Sequence, residues 1–345
     1  MTVETNDAIS SIPGEGERMF WTVFHVVIAL LSLTGDSIIL IGTTRYKAIK
    51  LHRVIVVIIQ HLAVSNLMLT VFRVLPIIVS LVAEGWILGK VLCLVNLNLA
   101  FICTPATALL TCVLSTCKLL IVYRPLKTEI WSRKRAHVIC GIVWLVCVLL
   151  PHQWTHVFFV NLEALYFDYI NYICNVNHVL SAVPVWLGWF EFIFGYTVFS
   201  GMIIILITSS VFLLFKARQV ARRHSESVRW QGILTVTLTA GMFLVSYLPD
   251  MIVPLIDHFT SVNVGSSILR ACSFLENVNI VANFFVYSLT VRSFRDFLLL
   301  RVRRVARQLG MCPASATPPT LRQPQRSVVV RRNRSAGPPS CDTRM

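Results

Sequence analysis

Charged residues are scarce in this chain of 345 residues, since they make up 14% of it while hydrophobic residues make up 56%. A soluble globular domain has about a quarter charged residues. Long stretches of the chain contain almost no charge, and these stretches leave little sequence for a soluble domain. The composition therefore predicts a membrane protein.

Several motifs that would indicate other functions are also absent. The sequence has no His, Asp and Glu spacing typical of a metal site, no Gly-x-Ser-x-Gly elbow and no phosphate-binding loop, so we expect no catalytic residue, no cofactor and no enzyme activity. No internal repeat is visible. A cleavable signal-peptide pattern is not expected either, because the first apolar run follows an acidic segment and is long enough to be a membrane span.

Seven apolar stretches run along the chain, each near or above the ~20 residues that a helix needs to cross the bilayer. They predict an all-α membrane protein whose fold is a bundle of seven transmembrane helices. The predicted spans are Phe20–Gly42, Val54–Ala83, Cys93–Val122, Val138–Val160, Trp186–Phe215, Ile233–Ile256 and Ile268–Val291.

The basic residues indicate the orientation, because short cytoplasmic loops retain positive charge. With the N-terminus outside, the inner loops and the tail hold 26 of the 31 basic residues, and the long loop between spans four and five holds none. The net charge of +15 is therefore explained by topology and by anionic lipid head groups. No nucleic-acid partner is needed to account for it.

The predicted organisation has four parts. Residues 1–19 form an extracellular N-terminus, and 20–291 form the bundle. Residues 292–309 mix aromatic and aliphatic side chains with arginines, which suits an amphipathic helix on the inner leaflet. Residues 310–345 are rich in Pro, Ser, Thr and Arg, a composition typical of a disordered cytoplasmic tail.

Ten cysteines are present, of which three are expected to reach the outer face. Cys93 opens span three and Cys174 lies in the second outer loop, so a disulfide between them would tie this loop to the bundle in an oxidising environment. The alternative is a pair of free thiols. Cys312 and Cys341 lie in the predicted tail, where both palmitoylation and free thiols remain open.

Short motifs follow one another through the spans in a fixed order. They are Gly35-Asp36, Leu62-Ala63-Val64-Ser65-Asn66, Trp86 ahead of Cys93, Cys117-Lys118-Leu119 before Pro125, Trp144 and Pro151, Phe243 with Ser246-Tyr247-Leu248-Pro249, and Asn283-Phe284-Phe285-Val286-Tyr287. In order and spacing the chain resembles a divergent rhodopsin-like (class A) G-protein-coupled receptor over all seven spans. The resemblance implies a multi-pass plasma-membrane receptor with a cytoplasmic C-terminus, whose partners are an extracellular ligand, heterotrimeric G proteins and the bilayer.

Asp36 and Asn66 exchange the residue types that the family places on helices one and two. A carboxylate in hydrocarbon is costly unless it is paired or hydrated. We therefore expect a polar network at mid-membrane, similar to the family's sodium and water pocket, formed by Asp36, Asn66, Thr107, Asn279 and Asn283. A sodium ion at Asp36 and Asn66, and a neutral Asp36 held by local hydrogen bonds, remain alternatives.

Arg73 and Glu276 form a second unusual pair. Each lies seven residues outward of an asparagine, Asn66 or Asn283, on spans that run in opposite directions. Seven residues rise about 10.5 Å, so the two charges should meet inside the bundle. They form either a plain ion pair or the floor of a ligand pocket, for which we predict Arg73, Asn96, Ala100, Thr104, His178, Tyr247, Asp250, Glu276 and Asn277.

The resemblance also bears on the ligand and on coupling. Ala100 stands where amine-binding members have an aspartate, so a peptide or a small non-amine molecule is expected. At the inner end, Cys117-Lys118-Leu119 replaces the family's Asp-Arg-Tyr, and Arg229 stands where many relatives have an acid. In the family, the Asp-Arg pair holds the arginine in the resting state. This resting lock is therefore predicted to be absent here, which leads either to raised basal activity or to weak coupling. The residues assigned to G-protein coupling are Cys117, Lys118, Leu119, Arg229 and Tyr287.

Two other kinds of membrane protein remain open. One is a receptor-like decoy or partner with weak or no coupling, which the altered Cys117-Lys118-Leu119 motif favours. The other is a seven-helix transporter, since transporters place polar residues at mid-membrane. The sequence lacks Gly- or Pro-rich broken helix pairs in matching halves, and span seven has no lysine for a retinal Schiff base.

Overall fold

A computed structural model of the chain describes residues 13–45, 53–123, 132–149, 165–176, 200–212, 227–259 and 264–308, with the isolated residues 186, 193, 197, 198 and 215. Two units divide the chain, Met1–Leu300 and Arg301–Met345, and the helical bundle lies in the first. The described helices are α1 (Glu15–Arg45), α2 (Arg53–Leu69), α3 (Leu75–Ala83), α4 (Gly89–Tyr123), α5 (Arg133–Leu149), α6 (Ser200–Phe212), α7 (Ser227–Phe259), α8 (Ser266–Leu275), α9 (Val278–Thr290) and α10 (Arg292–Gln308).

Within the described residues, three of the predicted spans are helices that are long and apolar enough to cross a membrane. They are Glu15–Thr44, Arg53–Ala83 and Gly89–Ile121, and Ser266–Thr290 adds a fourth when it is counted with the helix after it. Shorter apolar helices, Ser200–Phe212 and Thr237–Val253, lie in the predicted spans five and six. The second half of predicted span four, from residue 150, lies outside the described residues.

The bundle is polar inside and apolar outside. All five residues of the predicted polar network are buried, whereas large apolar side chains such as Leu30, Val82, Leu145 and Leu289 are exposed. An apolar exterior of this extent does not suit water. It suits lipid, where the backbone polar groups of each helix are satisfied within the helix.

A β-hairpin lies between α5 and α6, formed by β1 (Leu165–Asp168) and β2 (Ile173–Val176) in antiparallel register. The Asp168 carboxylate accepts hydrogen bonds from the backbone N–H groups of Ile170 and Asn171 and so fixes the turn. Cys174 on β2 forms a disulfide with Cys93 on α4, with a Cα–Cα distance of 5.5 Å. The predicted disulfide is confirmed, and the half of the bundle that carries it is called the disulfide end.

The opposite end of the bundle contains the transition from α9 to α10. Val291 has an extended backbone that separates the two helices. On α10, Phe294 and Phe297 are buried while Arg295 and Asp296 are exposed. This alternation agrees with the amphipathic helix expected at 292–309, and the tail expected at 310–345 lies outside the described residues.

Candidate functional site

Arg73 and Glu276 meet inside the bundle in a bidentate ion pair. Arg73 Nη1 donates to Glu276 Oε1 at 3.0 Å, and Nη2 donates to Oε2 at 2.6 Å. Their side chains are 15% and 8% exposed, so both charges are largely removed from water. Nη1 also donates to Thr104 Oγ1 at 3.3 Å. The planar guanidinium matches a carboxylate in this geometry, which a lysine would not do.

Arg73 lies in a π-helical turn, Thr70–Val74, between α2 and α3. The Leu75 N–H bonds to the carbonyl oxygen of Thr70, five residues earlier. Pro76 follows and has no N–H to offer to the carbonyl four residues before it, which removes one α-helical bond from this region. Single π-helical turns inside α-helices are frequent at functional sites.

Glu276 lies in an irregular turn as well. Glu276 and Asn277 separate α8 from α9, and the N–H groups of Asn279 and Ile280 bond three residues back, at 3.1 and 3.2 Å. The predicted continuous span Ile268–Val291 is therefore interrupted in its middle. Neither glycine nor proline marks this interruption, so the sequence pattern did not reveal it.

Tyr247 and Asp250 approach the ion pair from α7. The buried Tyr247 ring stacks on Phe243 with centroids 4.5 Å apart. Asp250 is half-buried one turn further along α7 and lies in electrostatic range of Glu276 and Arg73. Both side chains therefore face the α8 and α9 segments that carry Glu276.

The other predicted pocket residues are distributed around this centre. Asn96 is buried and its Oδ1 has no hydrogen-bond partner among the described residues, while Ala100 is half-buried. Asn277 is occupied elsewhere, because its Nδ2 donates to Nε2 of His25 at 3.2 Å. His25 in turn donates from Nδ1 to the Trp21 carbonyl oxygen at 2.7 Å. His178 lies outside the described residues.

The disulfide end also contains a second buried arginine, which was not among the predicted site residues. Arg270 on α8 is fully buried, and its Nη1 donates to Oε1 of Glu17 at 2.6 Å. Its Nε donates to the Ile170 carbonyl oxygen at 3.2 Å, and its guanidinium carbon lies 6.0 Å from the Tyr172 ring centroid. One side chain thus ties α1, α8 and the hairpin together. One feature of the sequence could have indicated it, because Arg270 is one of very few basic residues predicted at the outer face.

The predicted polar network divides into two hydrogen-bonded groups. Asp36 accepts from Ser32 Oγ at 3.0 Å and from Asn66 Nδ2 at 3.4 Å, and Ser32 bonds to Thr70 at 2.6 Å. Thr107 instead bonds to Ser65 at 2.8 Å. Asn279 is buried and its Nδ2 has no hydrogen-bond partner among the described residues, and Asn283 is also buried. The structure therefore brings Asp36 and Asn66 together, whereas the hydrogen-bond partner of Thr107 is Ser65.

At the opposite end of the bundle, Lys118 is buried with 6% of its surface exposed. Its Nζ lies 5.7 Å from the centroid of the Tyr287 ring, which is within cation–π range. Within the described residues, Lys118 thus lies against an aromatic ring and not against an acid. Cys117 is buried and Leu119 half-buried beside it, while the side chain of Arg229 lies outside the described residues.

A helical bundle with buried polar groups, an apolar exterior suited to lipid and a hairpin tied to one helix by a disulfide is typical of a membrane receptor. The chain belongs to the rhodopsin family: the family described as 7 transmembrane receptor (rhodopsin family) matches residues 35–287, more than half of the sequence. The predicted family and fold class are thereby confirmed. The protein is a multi-pass plasma-membrane receptor of the G-protein-coupled class and not an enzyme.

Curated relatives have the same class. The chain is 22% identical over 336 residues to the QRFP-like peptide receptor of Branchiostoma floridae, covering 90% of this chain and 83% of that protein. It is 22% identical over 330 residues to human proteinase-activated receptor 2, covering 90% and 80%. It is also 26% identical over 212 residues to 5-hydroxytryptamine receptor 7 of Xenopus laevis, covering 59% and 44%.

Proposed function

We propose that this receptor binds an extracellular peptide or small non-amine ligand at the disulfide end and transmits binding to heterotrimeric G proteins at the opposite end. The N-terminus is outside and the C-terminus is cytoplasmic, as the basic residues favour. The observation that carries the proposal is the buried Arg73–Glu276 pair. Ionisable groups within the membrane mark functional sites by default, and here both lie on irregular backbone.

The pocket comprises the residues around this pair. Thr104 holds Arg73, while Tyr247 and Asp250 line the α7 side and Asn96 offers an unpartnered oxygen. Two relatives, by their names, are a peptide receptor and a proteinase-activated receptor. Ala100 is an uncharged residue at the position where amine receptors of the family have an aspartate. The full proposed set is Arg73, Asn96, Ala100, Thr104, His178, Tyr247, Asp250, Glu276 and Asn277.

Switching is assigned to the polar groups between the two ends. The oxygens of Asp36, Ser32 and Asn66 form a donor set that suits a hard cation such as sodium, and Asn66 Oδ1 is buried without a hydrogen-bond partner in the described part of the chain. Coupling to the G protein is assigned to Cys117, Lys118, Leu119, Arg229 and Tyr287.

A second candidate is a receptor-like partner or decoy with weak coupling. The contact of Lys118 with Tyr287 favours it, because a lysine that is buried against a ring is less available to a cytoplasmic partner than an exposed arginine fork.

A G-protein recruitment assay in cells tests the proposal, with a peptide library and a library of non-amine molecules as probes. Wild-type receptor should respond to at least one probe. Thr104→Val, which keeps the side-chain volume and removes a partner of Arg73, should weaken that response by about tenfold. The control Glu84→Gln alters an exposed residue and should respond as wild type. Surface-expressed receptor that is silent with and without every probe would favour the decoy.

A further inference from the structure

Acidic residues outnumber basic ones at the disulfide end, on the topology proposed above. The basic residues that this topology assigns to the end and its membrane half are Arg18, Arg73, Lys90 and Arg270. The acidic ones are Glu4, Asp7, Glu15, Glu17, Glu84, Glu163, Asp168, Glu191, Asp250, Asp257 and Glu276. This imbalance is counted on the Lys, Arg, Asp and Glu residues of the whole sequence.

The three arginines of this end each form an ion pair with a carboxylate. Arg18 Nη1 lies 2.6 Å from Glu84, Arg270 Nη1 lies 2.6 Å from Glu17, and Arg73 is bidentate on Glu276. Lys90 is exposed on the first turn of α4. Among the described residues of this end, each arginine is therefore already paired with a carboxylate other than Asp250.

Asp250 is a further acid close to the Arg73–Glu276 pair. It is half-buried on α7 and forms no ion pair within the described part of the chain. It lies in electrostatic range of both Glu276 and Arg73. The site thus places the carboxylates of Asp250 and Glu276 around the guanidinium of Arg73, and Glu276 is the one that holds it. A carboxylate away from bulk water is costly until a cation meets it.

Asn96 supplies an independent indication of what is missing. It is 4% exposed, and its Oδ1 has no hydrogen-bond partner among the described residues. Asn96, Ala100 and Thr104 are four residues apart on α4, so they share the helix face on which Thr104 contacts Arg73. A buried acceptor oxygen needs a donor. Guanidinium and ammonium groups carry several N–H donors and no acceptor.

We propose that the pocket binds a ligand through a guanidinium group, with Asp250 as its counter-ion and Asn96 as acceptor for a further N–H of the same ligand. This inference rests on the proposed function and names the chemistry of its ligand. It also agrees with Ala100, because the carboxylate is supplied by α7 and not by α4. A basic peptide side chain fits this description, whereas the biogenic-amine arrangement with an acid on span three does not.

The test uses the purified full chain in lipid nanodiscs. The probes are Nα-acetyl-arginine N-methylamide and its citrulline counterpart, which has nearly the same shape and no charge. Binding is measured by saturation-transfer NMR and by the shift in thermal unfolding. Wild type should prefer the arginine probe by about tenfold or more. Asp250→Glu and the exposed-acid control Glu84→Gln should keep the preference, while Asp250→Asn should reduce it to about twofold or less.

Three results would overturn the inference. They are equal binding of both probes to wild type, an undiminished preference in folded Asp250→Asn, and no binding of the arginine probe up to about 10 mM, a range expected to reveal a fragment of this size. A neutral molecule that activates G-protein recruitment through this pocket would also overturn it, yet would leave the proposed function intact. Butylguanidine and an arginine-centred tripeptide then identify the source of the cation: tighter butylguanidine binding indicates a small molecule, and tighter tripeptide binding indicates a peptide.

Discussion

At the disulfide end, each arginine faces a carboxylate, whereas at the opposite end the buried Lys118 faces the ring of Tyr287. Breaking a buried ion pair costs about 3–5 kcal/mol, and a cation–π contact contributes about 0.5–2 kcal/mol. The disulfide adds a covalent tie to the first end. The comparison indicates one firmly held end, suited to present a fixed pocket, and one end held weakly enough to change its contacts.

The central pair of the firm end offers the largest expected effect. Arg73→Ala or Glu276→Ala should each lower the free energy of unfolding by about 3–5 kcal/mol, because the partner charge is left buried without its counter-charge. The double mutant Arg73→Glu with Glu276→Arg should lose less. Thermal denaturation of purified receptor measures these losses.

Thr104→Val is the matched control for this pair, since it removes one hydrogen bond at the same site and should cost about 0.5–1.5 kcal/mol. If the losses of Arg73→Ala and Glu276→Ala simply add in the double alanine mutant, the two side chains are not coupled and the firm end is not held as described.

The disulfide gives the next effect. Cys93→Ser, Cys174→Ser and the double mutant should each lose about 2–5 kcal/mol and reach the cell surface poorly, because the hairpin loses its tie to α4. The double mutant should be no worse than either single mutant.

Cys272→Ser is the control, since Cys272 is a buried free cysteine of the same end and should change surface expression little. Mass mapping that found Cys93 and Cys174 as free thiols in surface-expressed receptor would contradict this prediction.

A packing contact on the helix that carries Tyr287 is expected to have an intermediate effect. A Cβ atom on Gly35 would lie 2.6 Å from Cγ of the Phe284 side chain. Gly35→Ala should therefore cost about 1–3 kcal/mol of unfolding free energy by overpacking. Gly241 on α7 has no neighbouring heavy atom within 4 Å of such a Cβ. Gly241→Ala should be neutral or stabilise the receptor by about 0.5–1 kcal/mol.

Thermal unfolding of the two alanine variants measures the difference. Replacing Phe284 by the smaller leucine should recover part of the loss in Gly35→Ala. Equal stability of Gly35→Ala and Gly241→Ala would show that α1 and α9 do not pack as closely as described.

The sequence was sufficient for the bundle, the disulfide and the meeting of Arg73 with Glu276. These features depend on apolar length and on helical spacing, and the sequence shows both. The π-helical turn at Arg73 and the turn at Glu276 were not predicted, because they depend on which backbone groups find partners once the helices pack. Arg73 and Glu276 still meet, as their seven-residue spacing from Asn66 and Asn283 predicts, because both residues project into the bundle from these irregular turns.

The partners of Arg270 and Lys118 were missed for a different reason. Each contact joins segments that are far apart in the sequence, Arg270 to Glu17 and Lys118 to Tyr287. Helical periodicity predicts which face of a helix is buried but not which distant side chain lies against it. The altered motif at Cys117-Lys118-Leu119 showed what was lost, and its replacement on α9 required the packed structure.

The smallest effect on stability is expected at the opposite end of the bundle, where Lys118 lies against Tyr287. The same change is expected to have the largest effect on signalling. Tyr287→Leu should remove the ring that holds Lys118, cost about 0.5–2 kcal/mol and raise basal G-protein activation. Tyr287→Phe keeps the ring, so its basal activity should stay near that of wild type. The measurement is G-protein activation without ligand, normalised to surface expression.

A restored lock extends this test in the other direction. Cys117→Asp, Lys118→Arg and Arg229→Glu together should lower basal activation, because arginine offers carboxylates a planar fork that lysine lacks. Equal basal activity of the Leu and Phe variants at Tyr287 would mean that the ring does not hold the cation at rest. Silence of wild type, both Tyr287 variants and the triple mutant, all at the cell surface, would instead show that this end no longer couples to G proteins. The weak contact would then be a remnant of the lost lock, and the firm disulfide end would define a binding protein without a signalling partner.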